Sequence, residues 1–368
     1  MADNYVLKDE LFNRETVSEL ASSIKKVYED FECDVYIEEC VSGFDSRELK
    51  ERMTFMAEKL EDFLPSDYLL ATDIMLKACQ VTKGKESFVY GAFSEYVEKH
   101  GCNEKYLDHS LIMLGEYTKV FSAEFAIRAF INDFPEQSFK QMLEWSLSDD
   151  FNQRRLSSEG MRPKLPWGKA IDFDPLKAVS VLDNLYDDKE RYVTRSVANH
   201  LNDLSKIEPD VVVSILSRWQ DSVKQEKKEM DYIISHSTRT LVKKGHIGAL
   251  DLLGYKHDAK FEIDDLRVLT PSIHIGQSLE FEFEIRALED MKAMIDYQID
   301  YPMAGGKRSS KVFKIKKANL KKYDHLKIHK KHPFKVMTTK KLYTGDYTLT
   351  LQINGKLYTK GYFSMEVN

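Results

Sequence analysis

SDDFNQRRLSSE at residues 148–159, read beside YDDKERYVTRSVANHL at 186–201, decides the fold of this chain. Arg155-Leu156-Ser157-Ser158-Glu159 lies 40 residues before Arg195-Ser196-Val197-Ala198-Asn199, and an acidic or polar turn precedes each block. His200-Leu201 lies the same distance before Thr240-Leu241. A period near 40 residues that carries helical patterns is the mark of HEAT-like repeats. One such helix pair cannot bury its apolar face alone, so neighbours stack into a curved solenoid with a concave side.

Working outward, the same helical reading extends over the first two-thirds of the sequence. Val17, Leu20, Ala21, Ile24, Val27 and Tyr28 recur at three and four residues and form one apolar face. Leu49, Met53, Met56, Leu60 and Phe63 repeat the pattern, with Ser46 expected as the N-cap. Pro65-Ser66-Asp67 predicts a break and a new helix start before Tyr68. Helical patterns run on through Leu252.

After His257 the period changes from 3.6 to 2. Leu279-Glu280-Phe281-Glu282-Phe283-Glu284-Ile285 alternates strictly, as a strand with one buried face does. Ile295, Tyr297, Ile299 and Tyr301 alternate again, and Asn354-Gly355 between two apolar runs predicts a tight hairpin. Leu342 to Tyr347 reads as the tyrosine corner of an immunoglobulin-like sandwich. The fold class expected is therefore a HEAT-like α-helical repeat solenoid over 1–257 followed by an immunoglobulin-like β-sandwich over 258–368, with a linker near Gly254–Ala259.

Charge is distributed unevenly. The whole chain of 368 residues carries a formal net charge of −6. From Ala259 onward there are 20 Lys and Arg against 13 Asp and Glu, and within Lys307–Lys341 there are 14 basic residues and one acid, Asp324. Such asymmetry points to an anionic partner for the C-terminal part, although a lysine run can also be a solvated surface. Cys33, Cys40, Cys79 and Cys102 have no metal or redox spacing and read as reduced thiols. There is no P-loop, no GxGxxG and no His/Cys metal pattern. No apolar run is long enough to span a bilayer, and the N-terminus has no signal-peptide pattern. A cytoplasmic monomer without cofactor or metal is expected.

Three segments concentrate residues that carry chemistry. Phe151–Trp167 holds four bases, one carboxylate, two prolines, a glycine and a tryptophan, so it must leave its helix and form a shaped loop. A packed connection between repeats would have the same composition. Glu124 and Arg128 in Ala123–Arg128 stand at the spacing of a helical ion pair. Asn199, Asn202 and Asp203 share one helix side, as a functional face or a polar layer between repeats.

RRLSSEGMRPKLPW at 154–167 and RYVTRSVANHLNDLSK at 191–206 closely resemble the hallmark segments of AlkC-type DNA glycosylases, relatives of AlkD, and SAEFAIRAFI at 122–131 is similar to their earlier motif. Thr194, His200 and Ala129 depart from the arginine, asparagine and proline usual there. The resemblance runs from about Tyr117 to Trp219. It implies a monofunctional glycosylase acting in base excision repair on duplex DNA containing cationic alkylated bases, 3-methyladenine and 3-methylcytosine, without flipping the base. In this reading Glu124, Glu159 and Asp203 are the carboxylates at the lesion and Trp167 an aromatic face against the cationic nucleotide. Arg128, Arg155, Arg162, Arg195, Asn199 and Asn202 meet DNA. The immunoglobulin-like domain closes over the duplex, with Gly305-Gly306-Lys307-Arg308 as a loop tip beside Lys311. The alternative is a HEAT-repeat scaffold that binds DNA or protein and does no chemistry.

Overall fold

The computed structural model describes residues 7–82, 87–335 and 342–366. The first helices are α1 (Leu7–Leu11), α2 (Arg14–Lys25), α3 (Cys33–Ser42), α4 (Leu49–Phe63), α5 (Tyr68–Val81), α6 (Gly91–Gly101) and α7 (Leu107–Tyr117). Next come α8 (Ile127–Asp133), α9 (Pro135–Ser146), α10 (Phe151–Glu159), α11 (Val179–Asp183) and α12 (Arg191–Leu204). The last are α13 (Pro209–Ser222), α14 (Lys227–Ser237), α15 (Arg239–Lys243) and α16 (Ile247–Leu252). None of the described helices is long and apolar enough to cross a membrane.

Local chemistry sets the helix starts. Asn13 caps α2, accepting from the Glu15 and Thr16 N–H groups, and Val17, Leu20, Ala21 and Ile24 are fully buried beneath it. Asp67 caps α5 through the Leu70 N–H at 2.9 Å, as the Pro-Ser-Asp break predicts. The start of α4 differs from expectation. Glu48 takes the cap position instead of Ser46, and the Glu51 carboxylate accepts its N–H at 2.8 Å. A glutamate three residues into the helix can reach back to that N–H, whereas Ser46 lies two residues before the cap position.

The chain divides into two compact units. One holds the helices through α12 together with α14; the other holds α13, α15, α16 and all the strands. In the first unit α12 packs on both α10 and α14, and α9 packs on α10 and α11, which is the ladder of a helical repeat. Its cross-links recur with a spacing of 37 residues, from Glu159 to Ser196 and from Asn199 to His236. The offset from His200-Leu201 to Thr240-Leu241 leads to α15, which belongs to the other unit; the helix stacked on α12 is α14.

In the second unit β1 (Phe261–Val268), β3 (Ser278–Ala287) and β6 (His325–Pro333) form one sheet in the order β1-β3-β6. With β4 (Met291–Pro302), β5 (Arg308–Leu320), β7 (Gly345–Ile353), β8 (Lys356–Glu366) and β2 (Ser272–His274), the other sheet has the order β2-β8-β7-β4-β5. Phe281, Phe283 and Ile285 from the first sheet meet Ile295, Tyr297, Leu349 and Leu351 from the second in one core. The Tyr347 hydroxyl donates to the Tyr343 carbonyl at 2.6 Å, which is the tyrosine corner. Asn354 and Gly355, both at positive φ, make the β7–β8 turn. The buried Asn354 side chain also ties that turn to the carbonyls of Lys256 and Lys292.

Candidate active site

Asp150 caps α10, its carboxylate accepting the Asn152 N–H at 2.8 Å. Arg154 leaves the helix toward Asp188, in the acidic turn of the next repeat, and bonds both carboxylate oxygens at 2.6 and 3.2 Å. One residue on, Arg155 faces a cavity of about 380 Å³ whose walls include Glu124, Glu159, Arg162, Trp167 and Tyr192. Glu124 and Glu159 therefore open into one space.

The two glutamates are held from different elements. Glu159 ends α10, is 5% exposed, and accepts from Ser196 at 2.6 Å and from Arg162 at 2.5 Å. Glu124 stands in the turn before α8, where Ser122 donates to it at 2.8 Å. Arg155 lies between them, 2.5 Å from Glu124 and 3.7 Å from Glu159. Burial works against charge on Glu159, yet Arg155 and Arg162 outweigh it and hold its carboxyl below the usual range. Burial would likewise discharge Arg155, but the two glutamates hold its pKa above the ordinary value. Glu159 and the arginines beside it, Arg155 and Arg162, thus keep one another charged despite their burial.

Trp167 forms the outer wall. It is 67% exposed and has φ +61°, a backbone region that a side-chain-bearing residue seldom adopts. Phe88, Phe121, Phe125 and Tyr192 add aromatic surface, and the Arg155 guanidinium lies 4.7 Å from the centre of the Tyr192 ring.

Three comparisons place this geometry. The chain is 36% identical over 352 residues to uncharacterized protein YhaZ of Bacillus subtilis strain 168, covering 95% of this chain and 96% of that protein. The family model for the YhaZ C-terminal Ig-like domain matches residues 262–367. The solved structure of Pseudomonas fluorescens alkylpurine DNA glycosylase AlkC, bound to DNA containing an abasic site analog, superposes with a TM-score of 0.83 at 30% identity. That match covers 98% of this chain and 100% of the other.

The chain belongs to the AlkC family, together with YhaZ.

Several expected site residues take other places in this AlkC-family chain. Arg128, expected at a phosphate, is 1% exposed and donates to the backbone carbonyls of Gly160 at 2.8 Å, Arg162 at 2.9 Å and Lys169. Burial and the neighbouring Arg162 lower its pKa to about 10. Arg162 is spent on Glu159 and, through Nε and Nη2, on Asp203 at 3.0 and 2.9 Å. Asp203, expected as a third acid at the lesion, is 4% exposed behind Arg162 and is not part of the cavity wall. A buried carboxylate and guanidinium each need the other, so this pair is tied up in the interior.

Asn202 is buried, and Asn199 Oδ1 accepts from the His236 ring Nε2 at 2.8 Å. Arg195 is exposed and flanks the Tyr192 ring at 5.8 Å. The departures from the family pattern have partners too: Thr194 donates to Glu229 at 2.5 Å, and the fully buried His200 sets Nδ1 2.9 Å from the Ser158 carbonyl. Burial lowers the His200 pKa to about 4, so the ring is neutral.

In the sandwich, Gly305 and Gly306 have φ +71° and +74° at an exposed tip, with open space around both. Lys307 and Lys311 are exposed beside them, and Arg308 donates to the Asp346 carbonyl at 2.8 Å. Part of the basic run is neutralised within the domain, Lys331 by Glu280 and Lys321 by Asp290, each at 2.8 Å. Lys340 and Lys341 lie outside the described residues. Sequence reasoning missed Ser196, Tyr192 and the three phenylalanines of the cavity as site residues, although Tyr192 and Ser196 lay in RYVTRSVANHLNDLSK and Phe125 in SAEFAIRAFI, segments already singled out.

Proposed function

We propose that this chain is a DNA glycosylase that removes cationic alkylated bases, 3-methyladenine and 3-methylcytosine, from duplex DNA by hydrolysis. The observation that carries the reading is the convergence of Glu124, Glu159 and Trp167 on one cavity, in a fold shared over its whole length with a glycosylase solved on abasic DNA.

Alkylation at N3 gives the base a positive charge, so the base leaves without an acid to protonate it. The glycosidic electron pair goes to the base and neutralises it, while positive character grows on the sugar. Preformed carboxylates stabilise that charge, and removing one such contact costs about 10²–10³ in rate. Water adds at C1′ and gives its proton to a carboxylate or to solvent. Glu124 is the better-placed base because its side chain is more accessible, 15% exposed against 6% for Glu159. The sugar, rather than the base, is the group set against the two glutamates, so flipping is not needed. Trp167 supplies a π face to the cationic nucleotide, worth about 0.5–2 kcal/mol. No cofactor or metal enters this chemistry.

Residues 1–257 would carry the reaction and 258–368 the backbone grip, through Lys307, Arg308 and Lys311. Of the four arginines expected at DNA, Arg128, Arg155, Arg162 and Arg195, it is Arg195 that is exposed for a phosphate.

The test is release of 3-methyladenine from methylated duplex DNA by the full chain in the presence of a chelator. Wild type should release it, and Glu124→Gln should be slower by about 10²–10³. Tight DNA binding without release would instead favour the non-catalytic scaffold. Unchanged release after Glu124→Gln combined with Glu159→Gln would falsify the mechanism.

A further inference from the structure

The segment from Gly160 to Ala170 runs along the cavity and carries Trp167, yet regular structure is absent from most of it. Its backbone carbonyls are met by side chains from elsewhere in the helical unit. Arg128 on α8 takes those of Gly160, Arg162 and Lys169, which lie at the two ends of the loop. Asn132, one turn further along α8, takes that of Ala170 at 3.0 Å. Lys50 on α4 takes that of Trp167 itself at 3.4 Å.

The Lys50 ammonium is fixed in turn. It lies 4.0 Å from the half-buried Glu95 carboxylate and 4.8 Å from the centre of the Phe125 ring, a wall of the same cavity. A second pair, Lys169 with Glu98, secures the loop beyond Trp167.

A residue with a side chain held at positive φ relaxes unless its surroundings over-determine it. Trp167 has little packing of its own, being 67% exposed. The restraint must therefore come through the backbone on either side, where Arg128 and Lys50 act. We infer that Arg128 and Lys50 are positioning residues that clamp the Gly160–Ala170 loop and so set the Trp167 indole at the cavity mouth. For the reaction this rests on the glycosylase reading above; for the loop it does not.

The two can be separated because the chain has three tryptophans, and Trp145 and Trp219 are 5% and 1% exposed. Iodide quenching and anisotropy of the full chain, with a Trp167→Phe chain subtracted, report Trp167. Lys50→Met should make the indole more mobile and lower kcat by about tenfold with KM nearly unchanged, since a small misplacement is costly to a reacting geometry. Lys50→Arg, which keeps the charge and donors, should restore both readouts. Arg128→Lys should have the larger effect on anisotropy; if it fails to fold, Lys50→Met carries the test alone. Unchanged Trp167 anisotropy in Lys50→Met overturns the clamp. A mobile indole in a protein whose wild type releases no base leaves the clamp standing and removes the glycosylase reading.

Discussion

Ser196 on α12 donates its hydroxyl to Glu159 at the end of α10, 2.6 Å away, and so joins two successive repeats at the floor of the cavity. The bond favours the charged form of Glu159, in the same direction as Arg155 and Arg162 and against burial. Glu159 thus has its carboxyl below the ordinary range, and its ionised form is present until the pH falls through that lowered pKa. Base release, which needs no protonated acid here, should stay level from about pH 8 to about pH 5. In Ser196→Ala one donor is gone, so the acid limb of the rate profile should move toward neutrality, with a stability loss of about 1 kcal/mol. A pH–rate profile of both proteins checks this; an acid limb that stays in place would remove Ser196 from the electrostatics of the site.

Asp296 in β4 offers a pH effect of opposite sign in the sandwich. It is 7% exposed, and burial raises its pKa to about 6 although Lys314 and Lys317 pull it down. A carboxyl raised in the folded state contributes stability below its unfolded pKa, and that contribution is lost as pH rises through the folded value. Asp296→Asn should therefore stabilise the protein by on the order of 2 kcal/mol at about pH 8 and by little at about pH 4. Denaturant midpoints at the two pH values measure the difference, and a gain independent of pH would refute the desolvation account.

Lys307 and Lys311 flank a glycine tip with open space around it. If they meet phosphates, Lys307→Ala and Lys311→Ala should each lower the slope of log affinity against log salt by about 1. The loss should be alike for all DNA sequences, because backbone contacts position without reading bases. Titrations at several salt concentrations decide it; slopes equal to wild type would return these lysines to the solvated surface.

Much of the architecture was legible because its signals are local. The β3 alternation, the Asn354-Gly355 turn and the corner at Tyr347 each follow from the period or backbone preference of a few adjacent residues, and α10 and α12 from their matched segments. Glu159 and Trp167 could be singled out because a helix running into Gly, Pro and Trp must end in a shaped loop. The roles of the arginines could not. Arg128, Arg155 and Arg162 look alike in sequence, and each has the same five donors.

What the amino-acid sequence determined by itself is where helices give way to strands, where the loop with Trp167 departs and where positive charge gathers. What only the tertiary structure decided is which charges face one another. Arg128 and Asp203 are withdrawn into the interior, while Glu124 and Glu159, 35 positions apart, share one cavity with Phe88 and Tyr192. The reason is physical: periodicity and turn preference act over a few bonds, whereas desolvation and ion pairing depend on what the stacked repeats bring within a few ångströms.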